Sequence, residues 1–137
     1  MEKVTDGLIL VILCLFLFIG CQNNPTEEMR FENVANASKI EVSHFYEGEE
    51  SKQTIENSDA INEIANWLNT FILNKVSFPE GENPEENENR ESFCFIVYNE
   101  AETTITEFCY VIDLEQCYIR YQSQWYIVEN PSIPTFT

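Results

Sequence analysis

The sequence predicts an α+β domain, with one amphipathic helix packed on a mainly antiparallel sheet and elements in the order β-α-β-β-β-β. Three observations carry this expectation. Ile61, Ile64, Ala65, Leu68 and Ile72 recur at the i, i+3, i+4, i+7, i+11 spacing of a single helical face. Four β-branched and aromatic runs lie between residues 92 and 128, separated by short turns. Their apolar side chains alternate so that one sheet face is almost wholly apolar, which is the surface such a helix needs.

Lys39 to Tyr46 alternates cleanly, with Ile40, Val42, His44 and Tyr46 on one side, and reads as a half-buried strand. His44 on that side reads as a packed or hydrogen-bonded histidine, because no acid or nucleophile pairs with it in the sequence. A turn follows at residues 47–50, and Gln53, Thr54 and Ile55 suggest a short second strand. Asn57, Ser58 and Asp59 are N-cap candidates for the helix, and Asp59 and Glu63 place negative charge near the positive end of its dipole. Trp67 and Phe71 widen the apolar stripe, while Asn62, Glu63, Asn66, Asn69 and Thr70 line the opposite side.

Residues 79–91 have a different composition: six glutamates, two prolines, one glycine and no apolar residue, so nothing in them is expected to be buried. Such a segment is expected to be a mobile acidic loop. A calcium loop is not supported, since the D-x-[DN]-x-[DN]-G pattern is missing. After it, a turn at residues 100–103 sets Phe93, Phe95 and Val97 opposite Tyr110, Phe108 and Thr106. That register puts Cys94 directly across from Cys109, close enough for a disulfide, and leaves Cys117 as the odd thiol under the helix. The rival is a register shift that joins Cys109 to Cys117 across the next turn. Turns at residues 113–116 and 122–124 add Cys117, Ile119, Tyr121, Trp125 and Ile127 to the apolar face. The other face then carries Ile96, Tyr98, Glu107, Val111, Tyr118, Arg120 and Tyr126. Pro131 and Pro134 end the sheet, so residues 131–137 read as a tail.

The amino-terminal part has a separate logic. From Leu8 to Ile19 the chain is apolar and uncharged, and it stops at Gly20-Cys21 before a polar stretch. A run this short suits a signal-peptide core, whereas a spanning helix needs roughly 20 apolar residues. Phe18-Ile19-Gly20-Cys21 resembles the lipobox of bacterial lipoproteins, with Phe18 standing where leucine is usual. The resemblance covers residues 1–21 and implies a signal peptide over 1–20, removal of that peptide, and acylation of Cys21. The implied partner is therefore membrane lipid, reached through acyl chains (palmitate-type) on Cys21, at the outer face of a bacterial membrane. An uncleaved membrane anchor with Cys21 at its edge is the competing reading. Residues 21–37 are polar and acidic and read as a flexible tether, which leaves one small domain over 38–130.

The formal net charge is −17, with 24 acidic residues against 7 basic ones. That balance argues against nucleic acid, whose binding draws on Lys and Arg, and against anionic lipid heads; it is compatible with a cationic partner. Catalytic machinery is not expected. The chain has one histidine and no GxSxG, HExxH, CxxC or glycine-rich phosphate loop. No metal site or cofactor is expected either, since three scattered cysteines after Cys21 and one histidine do not make a zinc set. The expected function is a lipid-anchored, non-enzymatic binding or accessory module for a protein, peptide or glycan. Tyr98, Tyr118 and Tyr126 on the outer face are its candidate binding residues, because tyrosine offers flat area with a polar tip. The alternative is an immunity or inhibitor-type lipoprotein whose acidic loop blocks a cationic site on a toxin or enzyme.

Overall fold

A computed structural model describes residues 31–114 and 116–135. The signal peptide, Cys21 and residues 22–30 of the tether lie outside these described residues. Seven strands form one antiparallel sheet: β1 (Lys39–Tyr46), β2 (Glu49–Ile55), β3 (Leu73–Val76), β4 (Glu91–Tyr98), β5 (Thr104–Asp113), β6 (Gln116–Tyr121) and β7 (Gln124–Val128). A single α-helix among the described residues, α1 (Ser58–Asn69), lies between β2 and β3 in the chain. The spatial order is β2-β1-β4-β5-β6-β7-β3. The α+β class is therefore observed, with two strands more than the expected run: β2 extends over seven residues, and β3 was not foreseen.

Helix α1 begins where Asn57 Oδ1 accepts from the backbone N–H groups of Asp59 and Ala60, at 2.9 and 3.1 Å. This satisfies donors that an uncapped helix leaves orphaned. Its far end is tied by Asn130, whose side chain donates to Thr70 O and accepts from Ile72 N at 2.6 and 2.7 Å. The helix stops before Ile72, which the apolar spacing had included; that side chain is 55% exposed. Ile61, Ile64, Ala65 and Leu68 are buried against Ile40, Val42, Phe95, Val97, Phe108, Tyr110 and Ile119. Trp67 meets Phe71 and Tyr110 edge-on, with ring centroids 4.8 and 5.1 Å apart.

Part of the expected tether belongs to this core. A 3-10 turn (Glu32–Asn36) follows Phe31, and Phe31 and Val34 are both buried. The Phe31 ring sits 5.4 Å from Phe108 and 5.5 Å from Tyr121. Two isolated apolar residues in a polar stretch have no period to reveal them, yet each removes from water about as much apolar surface as a core position.

The registers of β4 with β5 and of β5 with β6 are those the alternation predicts: Phe95 faces Phe108, Cys94 faces Cys109, and Tyr110 faces Ile119. The β6–β7 register is one residue off. Tyr121 pairs with Gln124, so Gln122 and Ser123 alone make the turn, both with positive φ (48° and 63°). Left-handed values at both central positions mark the tight hairpin turn that matches strand twist. A slip of one residue exchanges the faces of a strand. Tyr126 and Val128 accordingly point into the core, 4% and 0% exposed, while Trp125 and Ile127 fall on the opposite face.

The acidic loop also differs from expectation. Between β3 and β4 it crosses the sheet face opposite α1 as a strap. Phe78 packs edge-on against Tyr118 and Trp125, at 5.4 and 5.9 Å. Pro84 is buried at the start of a 3-10 turn (Pro84–Glu86) that Asn83 caps through Glu85 N. Glu85 pairs with Arg120 at 2.9 Å, and Asn87 donates to Asp113. Val111 and Cys109, on the face that the strap crosses, are 0% and 6% exposed. Beyond Phe78 the strap attaches through charge pairing, caps and the buried Pro84, so the composition of residues 79–91 does not announce it.

Candidate functional site

The three candidate tyrosines do not form one surface. Tyr98 lies at the end of the sheet where the chain enters β1; its hydroxyl donates to Glu41 Oε2 at 2.9 Å, and Lys39 Nζ stands 4.4 Å above its ring. The hydrogen bond to the Glu41 carboxylate raises its pKa, followed by burial. Tyr118 is half-buried at the strap, and burial raises its pKa, with a smaller push from Asp113. Tyr126 is a core residue through the β6–β7 register. The outer tyrosine face therefore needs correcting: the strap occupies part of it, and Tyr126 belongs to the other side of the sheet.

Cys94 and Cys109 are joined by the expected disulfide, and Cys117 is a buried free thiol. Arg120 links this bridge to the strap: its guanidinium lies 3.5 Å from Cys109 Sγ and holds Glu85 with Nε and Nη2. Donor atoms of Glu85, Cys94 and Cys109 cluster within 4.8 Å. Bonded to each other, the two sulfurs offer no thiolate to a metal, and the carboxylate is already paired with Arg120. On the helix side, burial pushes Cys117 and Tyr110 up, and Tyr110 is further raised by the neighbouring Cys117 thiol.

One open cleft, of about 730 Å³, lies at the end of the sheet away from Tyr98. Antiparallel pairing makes this end. Phe45 faces Ser92 across β1 and β4, which brings the β1–β2 turn beside the residues just before β4. One wall is Phe45, Tyr46, Glu47 and Gly48; the other is Glu88, Asn89 and Arg90 from the strap. Glu47 and Gly48 both have positive φ (51° and 83°), so the turn is as tight as that between β6 and β7. The Arg90 guanidinium sits 4.9 Å over the Phe45 ring and donates from Nη1 to Asn87 O at 3.0 Å. Arg90 Nε is shielded from solvent and makes no hydrogen bond.

Beside the cleft, the His44 ring lies flat on Phe93, 4.2 Å away with 4° between planes, and continues to Tyr46 at 6.3 Å and 14°. His44 Nε2 and Glu91 Oε1 are 2.7 Å apart. Tyr46 is 49% exposed, and its pKa is raised chiefly by the Glu47 side chain beside it. The aromatic row runs on the α1 face of β1, and the Arg90 guanidinium lies over Phe45 on the strap face. The two meet at Tyr46, where a ring, a guanidinium and flanking carboxylates suit recognition of a partner with both flat and charged groups. The alternation of β1 had put His44 and Tyr46 on one side. Glu91 was missed as the partner of His44 because it was counted with the acidic loop rather than with β4.

No helix among the described residues is long and apolar enough to cross a membrane. No protein-family model matches the chain, and neither curated proteins nor solved structures give a match to it.

Proposed function

We propose that the chain is a lipid-anchored lipoprotein of the bacterial cell envelope, held through acylated Cys21, whose folded domain is a non-enzymatic binding module. The observation that carries the binding role is the cleft at Tyr46 and Arg90, an aromatic and charged surface on rigid strand ends. Its position is compatible with the anchor reading. The chain comes from Cys21 to Phe31 and then to Ser38, whose N–H donates to Tyr98 O at the end of the sheet opposite Tyr46. Eight residues of β1 separate the two ends, about 26 Å. Acyl chains at Cys21 would thus leave the cleft on the side remote from the entry point, available to a partner in the aqueous space.

A second reading, an inhibitor or immunity lipoprotein, is favoured by the exposed carboxylates of Glu80, Glu82, Glu86 and Glu88 on the strap. Strong salt dependence of partner binding supports it, and weak dependence supports recognition through the aromatic row. Metabolic labelling with a fatty acid tests the anchor: the wild type takes up label and Cys21→Ser does not. Undiminished label on Cys21→Ser rejects the lipoprotein. Tyr46→Ala, at a half-exposed position, tests the cleft; capture of the native partner at wild-type strength by that variant rejects the site.

A further inference from the structure

The four large apolar side chains that stand most exposed among the described residues are Tyr46, Ile72, Leu114 and Ile133, at 49, 55, 89 and 65%. The topology gathers them at one end of the molecule. Tyr46 closes β1, Ile72 precedes β3, and Leu114 sits where β5 turns into β6. Ile133 follows the end of β7 and is placed by Ser132, whose hydroxyl accepts from Trp67 Nε1 at 2.9 Å. From β1 to β3 there are five strand spacings, about 24 Å. That width is close to the ~28 Å edge of a square patch of roughly 800 Å², one partner's share of a standard protein–protein interface. The opposite end, with Tyr98 and the turns at 99–103 and 122–123, carries none of these four side chains.

Leu114 is the telling member of the row. Asp113 pairs with Gln116, so two residues reverse the chain, and Leu114 takes φ +54°. Left-handed backbone is costly for a bulky side chain and natural for Gly or Asn. A leucine held there and exposed to water gains nothing from this fold by burial. Strain of this kind, with an apolar side chain on display, points to a contact outside the chain. The charge around the row says what kind. Glu47, Glu49, Glu50, Glu88, Asp113 and Glu129 lie at this end, against Arg90 over Phe45 and Lys52, whose Nζ is 3.7 Å from Glu50 Oε1, so acidic groups are in excess. A second copy would bring like charges together, and an anionic lipid surface would be repelled.

We propose that this end of the sheet docks a cationic protein partner, which seats Leu114 in an apolar pocket bordered by lysines or arginines. The inference rests on the binding-module reading and names its partner class. The test uses the full-length chain in nanodiscs of zwitterionic lipid, with an amphipathic leucine/lysine peptide as probe and zero-length carbodiimide coupling as readout. Peptide adducts are expected on Glu47, Glu88, Asp113 and Glu129, at several times their level on Glu100 and Glu102 at the far end. Leu114→Asn suits the backbone, so the variant folds; adduct yield at this end is expected to fall at least threefold. Adducts spread evenly over both ends, no adducts, or an unchanged yield with Leu114→Asn would overturn the proposal. Chain-to-chain adducts in place of peptide adducts would make a second copy the occupant and overturn it as well. None of these results touches the fatty-acid label or the Tyr46 dependence of native capture, so this inference fails separately from the reading beneath it.

Discussion

Replacing both cysteines of the bridge, Cys94→Ala with Cys109→Ala, removes a cross-link between directly opposed residues of β4 and β5, 15 positions apart in sequence. A closed loop of this size stabilises the folded chain by ~3 kcal/mol through the entropy it removes from the unfolded one. Arg120 loses its contact with Cys109 Sγ, but its pair with Glu85 is about one-third exposed and contributes ~0–1 kcal/mol. The sum stays near 3 kcal/mol, a large part of the ~5–15 kcal/mol that a domain of this size commands. With a urea m-value of ~1–2 kcal/mol/M, the midpoint should fall by ~1.5–3 M. Two tryptophans report different places: Trp67 in the core and Trp125 beside Phe78 under the strap. Urea unfolding followed by the fluorescence of each, with the other replaced by Phe, measures the shift. If the midpoint is unchanged, or only Trp125 responds while Trp67 keeps its wild-type transition, the bridge does not restrain the domain as a whole.

Three further outcomes follow from the same geometry. Tyr126→Ala should cost ~3 kcal/mol or more and Trp125→Ala ~1 kcal/mol, because the first is in the core and the second is half-exposed; thermal melts that reverse this ranking would restore the three-residue turn. Replacing residues 82–89 by a Gly/Ser run of equal length should lower stability by ~2 kcal/mol through loss of the Asn83 cap, Pro84 burial and the Glu85 pair. A change within a few tenths would return the strap to the status of a free loop. Burial holds the Cys117 thiol and the Tyr110 hydroxyl above their ordinary values of 9.0 and 10.0, so the folded state keeps protons that the unfolded chain releases. Stability should therefore be complete below about pH 9 and decline above it, first through the thiol and then the phenol, by up to ~1.4 kcal/mol per pH unit for each group. Cys117→Ala should abolish the earlier decline in a pH series of urea midpoints.

The part of the sheet that was legible is the part where alternation had only one solution. In β4 and β5 the bulky rings of Phe93, Phe95, Phe108 and Tyr110 share one face with Val97, while Ser92 and Glu107 mark the other. A shift of one residue in β5 would turn Glu107 into the core and Phe108 and Tyr110 out of it. That constraint alone brings Cys94 and Cys109 together, without any information about sulfur. In β7 it fails. Trp125 and Ile127 are as apolar as Tyr126 and Val128, so either face satisfies the alternation, and the choice passes to the turn. Gln122 and Ser123 take positive φ without the Asn-Gly or Asp-Gly signal that usually marks such a turn. Hydrophobic patterning had no means of detecting it.

The same reasoning explains why the cleft was invisible while its parts were not. Tyr46 and His44 were read correctly onto one side of β1, and Arg90 and Glu91 were visible as charges in an acidic run. What joins them is the insertion of β1 between β2 and β4, a pairing across about 50 residues of chain that local period does not encode. Once that pairing is made, the end of β1 must lie beside the start of β4, and the last residues of the strap must close over Phe45. The tyrosines suggested from sequence failed for a related reason. Tyrosine is favoured in strands for its fit to a pleated surface, so three of them in a meander carry information about β-structure before they carry any about a ligand. An exposed leucine in a left-handed turn is a stronger pointer, because a two-residue hairpin needs the left-handed backbone but gives no reason for a leucine in it or for its exposure.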